Sequence, residues 1–288
     1  MSYAAVTGEL GCRRIRRGVR TKEKQARKVV KEGYAQAAKQ GGSGYGNADI
    51  AERIYRQLGY SEEDLAAVPE GANLGLGCGN PIAWASLKER ETVINLGSAA
   101  GFDSFLAANK VRENGKVIGV DMTPEMIEKA RGNAEKGNYQ NIEFRLGENE
   151  NLPIVDNIAD IVISNCVINL SSNKRGVFAE VFRVLKSGGR IMICDIVLSE
   201  PIPDVMKNAV EAYVGGEWAV MKDEFVAAIE AAGFQDVRIV DETSFPAECM
   251  ANDPTAHGIV GDLNISPEML GCIVTKIISV KIHGVKPG

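Results

Sequence analysis

From Glu91 onward the chain alternates short, nearly continuous apolar runs with segments of helical spacing. The runs are "TVINLG", "KVIGVD", "IEFRLG", "ADIVISN" and "RIMICDIV", rich in β-branched residues. Strands of a parallel sheet read this way, because helices cover both of its faces. Between them lie "FDSFLAANKV", "TPEMIEKARGNAEKG" and "NKRGVFAEVFRVLKSGG". The second is marked as a helix by Thr123 in a capping position, Pro124 at the first turn, Met126, Ile127, Ala130 and Ala134 along one side, and Gly137 at its end. The alternation predicts an α/β fold with a doubly wound, mostly parallel sheet. Beyond Pro201, "PDVMKNAVEAYV" and "KDEFVAAIEAAGF" read as helices, and "VRIVDE" and "IISVKIHG" as strands that extend the sheet or build a small cap.

Upstream the pattern is different. "ADIAERIYRQLGY" carries Ile50, Ile54 and Leu58 at helical spacing, with Gly59 placed to end the helix. Before it, "KQGGSGYGN" holds four glycines and reads as a flexible joint. Before that, "CRRIRRGVRTKEKQARKVVK" is strongly basic, so the rest of the chain is more acidic than the net charge of -5 suggests. Val19, Ala26, Val29 and Val30 give that arm a partial apolar stripe, which fits a surface arm or lid rather than a nucleic-acid-binding element. The divisions are therefore an arm and joint over 1–46, a nucleotide-binding unit over 47–200, and a C-terminal unit over 201–288 that completes the sheet and caps the site.

Composition narrows the chemistry. At 288 residues and 45% hydrophobic the chain has material for a sizeable core, and no run reaches the roughly 18 apolar residues of a membrane span. No charged-then-apolar leader opens it, and a cytoplasmic protein is expected. The six cysteines, Cys12, Cys78, Cys166, Cys194, Cys249 and Cys272, are scattered and form no Cys-x-x-Cys pair, which suits free thiols. With only His257 and His283 as histidines, neither a zinc site nor a Ser-His-Asp unit is expected.

The first strand ends in "INLGSAAGFD", where Gly97, Ala99 and Gly101 stand at the positions of a Gly-x-Gly-x-Gly turn. Small residues there let backbone N–H groups approach a nucleotide. About twenty residues on, Asp121 ends the second strand, from which a carboxylate can take both hydroxyls of a ribose. The third strand runs into the acidic, amide-rich "RLGENENLP", which favours a compact cationic adenosyl compound over a dinucleotide.

"VINLGSAAGFD", "VIGVDMTPEMIEKAR", "GENENLP" and "VLKSGGR" resemble the successive motifs of class I S-adenosylmethionine-dependent methyltransferases. With "GLGCGNP", "GFDSFLAA", "SNCVINL" and "AAIEAAGFQDVRIVDETSFP", the stretch from Gly71 to the C-terminus resembles the arsenite methyltransferase family. The resemblance implies a seven-stranded sheet with its last strand antiparallel, and S-adenosylmethionine as cofactor. It places Gly97, Ser98, Ala99, Gly101 and Asp103 on the methionine side, Asp121 on the ribose, Met122, Gly147, Glu148 and Asn149 around the adenine, and Asn165 among the cofactor-binding residues. The family has an acid where Asn95 stands and a glycine where Ala99 stands; an alanine is tolerable there only if its φ is negative.

Cys194, within "IMICDIV", reads as a small buried hydrophobe. Cys166 follows the fourth strand at the carboxyl edge of the sheet, where doubly wound folds place their ligands. The family resemblance adds Cys78, in the "GCGNP" loop, and implies that both thiols hold a trivalent arsenical, a soft acceptor. Its further cysteine falls at Gly216, within "YVGGEWAV", followed here by Glu217 and Trp218. Three readings stand open: methyl transfer to a small soft acceptor such as a thiol-bound trivalent arsenical; a changed acceptor or use of the cofactor's aminocarboxypropyl arm; and a non-catalytic cofactor-binding module.

Overall fold

The structure, a computed structural model, describes residues 27–28, 30–39, 48–204, 220–246, 249 and 275–288. Its centre is a seven-stranded sheet of order β3-β2-β1-β4-β5-β7-β6. The strands are β1 (Thr92–Leu96), β2 (Lys116–Asp121), β3 (Ile142–Leu146), β4 (Ala159–Asn165), β5 (Leu185–Leu198), β6 (Gln235–Ser244) and β7 (Ile277–Val285). β1 to β5 pair in parallel, and β7 runs antiparallel to both neighbours, β5 and β6. The five predicted runs are the five parallel strands, and the two late ones extend the sheet rather than forming a separate cap.

Alternation along each strand feeds two cores. Val93, Val117, Ile161, Ile163 and Met192 pack on one face with Phe105 and Tyr60, whereas Ile94, Ile118, Val162 and Ile193 pack on the other with Phe178 and Phe225. Helices cover both faces, so the interior strand residues are buried from both sides and must be apolar throughout. These include α5 (Phe102–Val111), α6 (Pro124–Lys136), α7 (Lys174–Val184) and α8 (Lys222–Ala231), numbered after α1 (residues 30–39), α2 (Ala48–Gln57), α3 (Glu62–Ala66) and α4 (Pro81–Trp84).

Strand order reverses between β1 and β4, so the loops after these strands diverge and leave a crevice at the carboxyl edge. Thr123 precedes α6 as expected, but its side chain makes no capping bond; it serves the neighbouring Asp121 instead. The arm is not separate along its whole length. Val30, Ala37 and Ala38 are buried, and Ala37 and Ala38 share a small core with Leu74, Ala100 and Met126. The joint over 41–46, most of "PDVMKNAVEAYV", and Gly216, Glu217 and Trp218 lie outside the described residues. Among the described residues no helix is long and apolar enough to cross a membrane.

Candidate active site

The glycine turn after β1 is built from left-handed backbone. Gly97 has φ +61°, Ala99 φ +45° and Gly101 φ +99°. Ala99 therefore occupies the region that the sequence reading required it to avoid, and its Cβ carries a local strain of about 1 kcal/mol. The close fit is as demanding as the φ values. A Cβ on Gly97 would lie 2.5 Å from Val167, and one on Gly101 2.6 Å from Phe105. The turn is pinned by Ser98 N–H donating to Val120 O at 2.9 Å and Gly101 N–H donating to Ser98 O at 2.8 Å.

Asp121 joins this turn to the next. Its Oδ2 accepts from Ala99 N–H at 3.0 Å and its Oδ1 from Thr123 N–H at 2.8 Å. A carboxylate has about four acceptor sites, so the two backbone bonds and that of the Thr123 side chain leave room for a ribose hydroxyl. Burial pushes its pKa up, opposed by those N–H donors and by Lys31 nearby. The acidic loop is held beside it: Gly147 N–H donates to Asp121 O at 3.0 Å.

The back wall is a polar network. The Asn165 amide donates to Asp103 Oδ2 at 3.0 Å and to Gly79 O at 2.9 Å, and its Oδ1 accepts from Cys78 N–H at 3.0 Å. Tyr60 donates to Asp103 Oδ1 at 2.6 Å. Burial raises Asp103 to about 6, with the Tyr60 and Asn165 hydrogen bonds opposing. Asn95, where an acid was the family's pattern, is buried in the adjacent core and donates to Ser104 Oγ at 2.9 Å.

The thiols meet at this wall. Cys78 is fully buried, Cys166 half-buried with φ +57°, and the two side chains are within hydrogen-bonding reach. Burial first, and then the Cys166 hydrogen bond, pushes the Cys78 thiol up. Cys194 is buried, as read from its pattern, and its carbonyl accepts from Cys166 N–H at 2.8 Å. Beneath the turn that follows Cys166, buried Asp195 accepts from Ile168 N–H at 2.9 Å and Asn169 N–H at 3.3 Å. Desolvation raises Asp195 to about 7. Among the described residues no group of three or more His, Cys, Asp or Glu is arranged to hold a metal ion.

These elements enclose one cleft. Of the expected site residues, Gly97, Ala99, Asp121, Met122, Gly147, Glu148, Asn149, Asn165 and Cys166 line it. Ser98, Gly101, Asp103 and Cys78 are not on its lining; Asp103 and Cys78 stand behind Asn165, bonded to it. Ser98 Oγ is buried with no partner. Cys249 is buried in the same core as Tyr55 and Tyr60 and is not on the lining, while Cys12 and Cys272 lie outside the described residues. The sequence reading did not single out Tyr60 or Tyr34; Arg27 and Val30, from the arm read as a surface arm or lid, form with Tyr34 the roof of the cleft. The spacing of Val30, Tyr34, Ala37 and Ala38 signals a buried helical face there.

The lining fits an adenosyl amino acid: a carboxylate at Asp121 and, beside it, the loop bearing Gly147, Glu148 and Asn149. Fold and site together define a class I methyltransferase. A methyltransferase domain family model matches residues 87–240, and the chain belongs to that family. Its sequence is similar to those of arsenite methyltransferases. It is 45% identical to the arsenite methyltransferase of Halobacterium salinarum, over 75% of this chain and 59% of that protein. It is 32% identical to the arsenite methyltransferase of Mus musculus, over 70% of this chain and 55% of that protein. The chain thus spans between half and three-fifths of the length of these two relatives. The crystal structure of CrArsM, an arsenic(III) S-adenosylmethionine methyltransferase from Chlamydomonas reinhardtii, superposes with a TM-score of 0.58 at 28% identity, covering 82% of this chain and 73% of that one.

Proposed function

We propose that the chain is an S-adenosylmethionine-dependent methyltransferase acting on a trivalent arsenical bound through Cys166 and Cys78. The observation that carries the reading is that Cys166 lines the cleft formed by Asp121 and the glycine turn, while its thiol reaches that of Cys78. S-adenosylmethionine supplies an electrophilic methyl group on a positive sulfur. Asp121 holds a ribose hydroxyl, Met122, Gly147, Glu148 and Asn149 frame the adenine, and Gly97, Ser98, Ala99 and Gly101 shape the methionine side. Asp103, behind Asn165, acts on the site by fixing that amide and by placing negative charge near the cofactor's cation.

In-line displacement requires orientation and exclusion of water more than proton transfer. Cys166 on the cleft, with Cys78 behind it, gives a soft acceptor that orientation through sulfur, because trivalent arsenic prefers thiolate ligands. Each arsenic–sulfur bond replaces one ligand of the arsenical, which takes the thiol's proton and leaves as water or free thiol, and this exchange offsets the burial that keeps Cys78 protonated. Free thiols on this wall suit a reducing cytoplasm.

The test is to replace Cys78 and Cys166 singly by serine and follow methylated arsenical by mass spectrometry, with S-adenosylhomocysteine affinity as a control for folding. Both variants are expected to retain cofactor affinity and lose turnover. Unchanged turnover in either variant would refute the thiol site.

A further inference from the structure

We infer that Asp195 and Lys174, two buried charges off the lining of the cleft, are positioning residues that hold the turn bearing Cys166 in register with the cofactor. The inference rests on the reading of Cys166 as an acceptor-binding thiol and says what fixes that thiol in place.

The turn cannot hold itself. Ile168–Leu170 form a single 3-10 turn, closed by Leu170 N–H donating to Val167 O at 3.2 Å and Ser171 N–H donating to Ile168 O at 3.0 Å. The first N–H groups of a helical turn lack partners within it. Val167, in the capping position, has only a hydrocarbon side chain and supplies none. Asp195, from β5, does so instead. Its Oδ2 accepts from Ile168 N–H at 2.9 Å and Asn169 N–H at 3.3 Å, while its Oδ1 accepts from Ile196 N–H at 2.8 Å. At the other end Lys174, the first residue of α7, donates from Nζ to Asn169 O at 3.3 Å and to Ser171 O at 3.0 Å. Negative charge at the amino end and positive charge at the carboxyl end match the dipole of the turn.

Stability alone is a poor reason for this arrangement. Asp195 is fully buried and Lys174 nearly so. Taking such charges out of water costs several kcal/mol each, and apolar residues of similar volume are often as stable. β5 is also an interior strand, where apolar residues are the rule. Placement is what the charges add. The neighbouring carbonyl, Cys194 O, accepts from Cys166 N–H at 2.8 Å, so the end of β5 grips the turn at Cys166, Ile168 and Asn169. That grip keeps Cys166 at φ +57°, Val167 against Gly97, and Leu170 and Ser171 along the cleft. A displacement of about 1 Å at a reacting group can cost about a hundredfold in rate. A turn free to shift therefore loses the transfer but keeps the cofactor, because Asp121 and Gly147 to Asn149 belong to β2 and the loop after β3.

The experiment compares Asp195→Asn, Lys174→Met and the double variant of the full-length protein. It reads turnover of a trivalent arsenical at saturating S-adenosylmethionine, S-adenosylhomocysteine affinity by calorimetry, and Cys166 alkylation by iodoacetamide followed by peptide mass mapping. Each single variant is expected to lower kcat about tenfold or more, keep S-adenosylhomocysteine affinity within about threefold, and speed Cys166 alkylation about fivefold. Lys174→Arg, which keeps a charged donor, should recover most of kcat. Because both residues hold one turn, the double variant should lose no more than about threefold beyond the worse single one. Turnover within about twofold of the unaltered protein in both single variants, affinity that falls in step with kcat, or alkylation at the unaltered rate would overturn the inference. Losses that multiply in the double variant would overturn the pairing of the two charges. If Asp195→Asn does not fold, Lys174→Met and Lys174→Arg decide by the same readings. If Cys166→Ser turns over like the unaltered protein, the acceptor reading itself fails, and the alkylation rates still decide whether the two charges hold the turn.

Discussion

Ala99 holds a left-handed conformation that a glycine adopts without strain, at φ +45°, because its N–H must reach Asp121 Oδ2. The predicted consequence is that Ala99→Gly stabilises the protein by about 1 kcal/mol in denaturant titration, less whatever the unfolded chain gains in freedom. Equal or lower stability would show that the turn does not strain its alanine. The cost of this residue was not legible in the sequence, where only the small-residue pattern of the turn shows. The sign of φ is fixed by a hydrogen bond to a residue 22 positions away. Asp103 gives the same lesson. Its place at the head of α5 is readable, but its partners Tyr60 and Asn165 come from 43 and 62 positions away, and they draw it behind the wall instead of onto it.

At the scale of elements, the turn after β1 and the turn after β4 are packed as a pair. Gly97 admits Val167, since a Cβ would come within 2.5 Å of its side chain. Gly97→Ala is expected to lower S-adenosylhomocysteine affinity by an order of magnitude or more, through overpacking and a forced φ. Adding Val167→Ala should recover the overpacking share and leave the backbone share. A double variant no better than the single would mean that φ alone sets the loss. Strand and helix existence was legible here because the β-branched runs are buried on both faces and α6 carries Pro124, an apolar side and Gly137. The roof was harder to read. Its apolar positions, Val30, Tyr34, Ala37 and Ala38, follow helical spacing from the end of a basic stretch, and the charges ahead of them dominate the pattern. In the structure Arg27 pairs with Glu148 and Glu150, and Lys39 pairs with Glu125 at the surface.

Across the whole molecule, burial raises three carboxylates, Asp103, Asp121 and Asp195, and the first and last of these shape the response near neutral pH. Burial raises Asp103 to about 6 and Asp195 to about 7, against an ordinary aspartate near 4. Because the folded state holds these protons more tightly than the unfolded chain, the stabilisation they give is complete below about pH 4. It is lost as pH rises through the folded values. Stability is therefore expected to fall between about pH 4 and pH 7, by an amount on the order of a few kcal/mol, in chemical denaturation at fixed ionic strength. Asp195→Asn should flatten the upper part of that slope. A stability that climbs steadily over the same range would contradict the buried, raised carboxylates.

Strand order places the cleft where β1 and β4 diverge, which is why the glycine turn, Asp121 and Cys166 converge although they are far apart in sequence. The central claim is that this convergence transfers a methyl group to thiol-bound arsenic. Its most direct test is incubation of the protein with S-adenosylmethionine and a trivalent arsenical, with both products identified by mass spectrometry. Methylated arsenical and S-adenosylhomocysteine in equal amounts are predicted. Methylthioadenosine, or consumption of the cofactor with no methylated arsenical, would contradict the account.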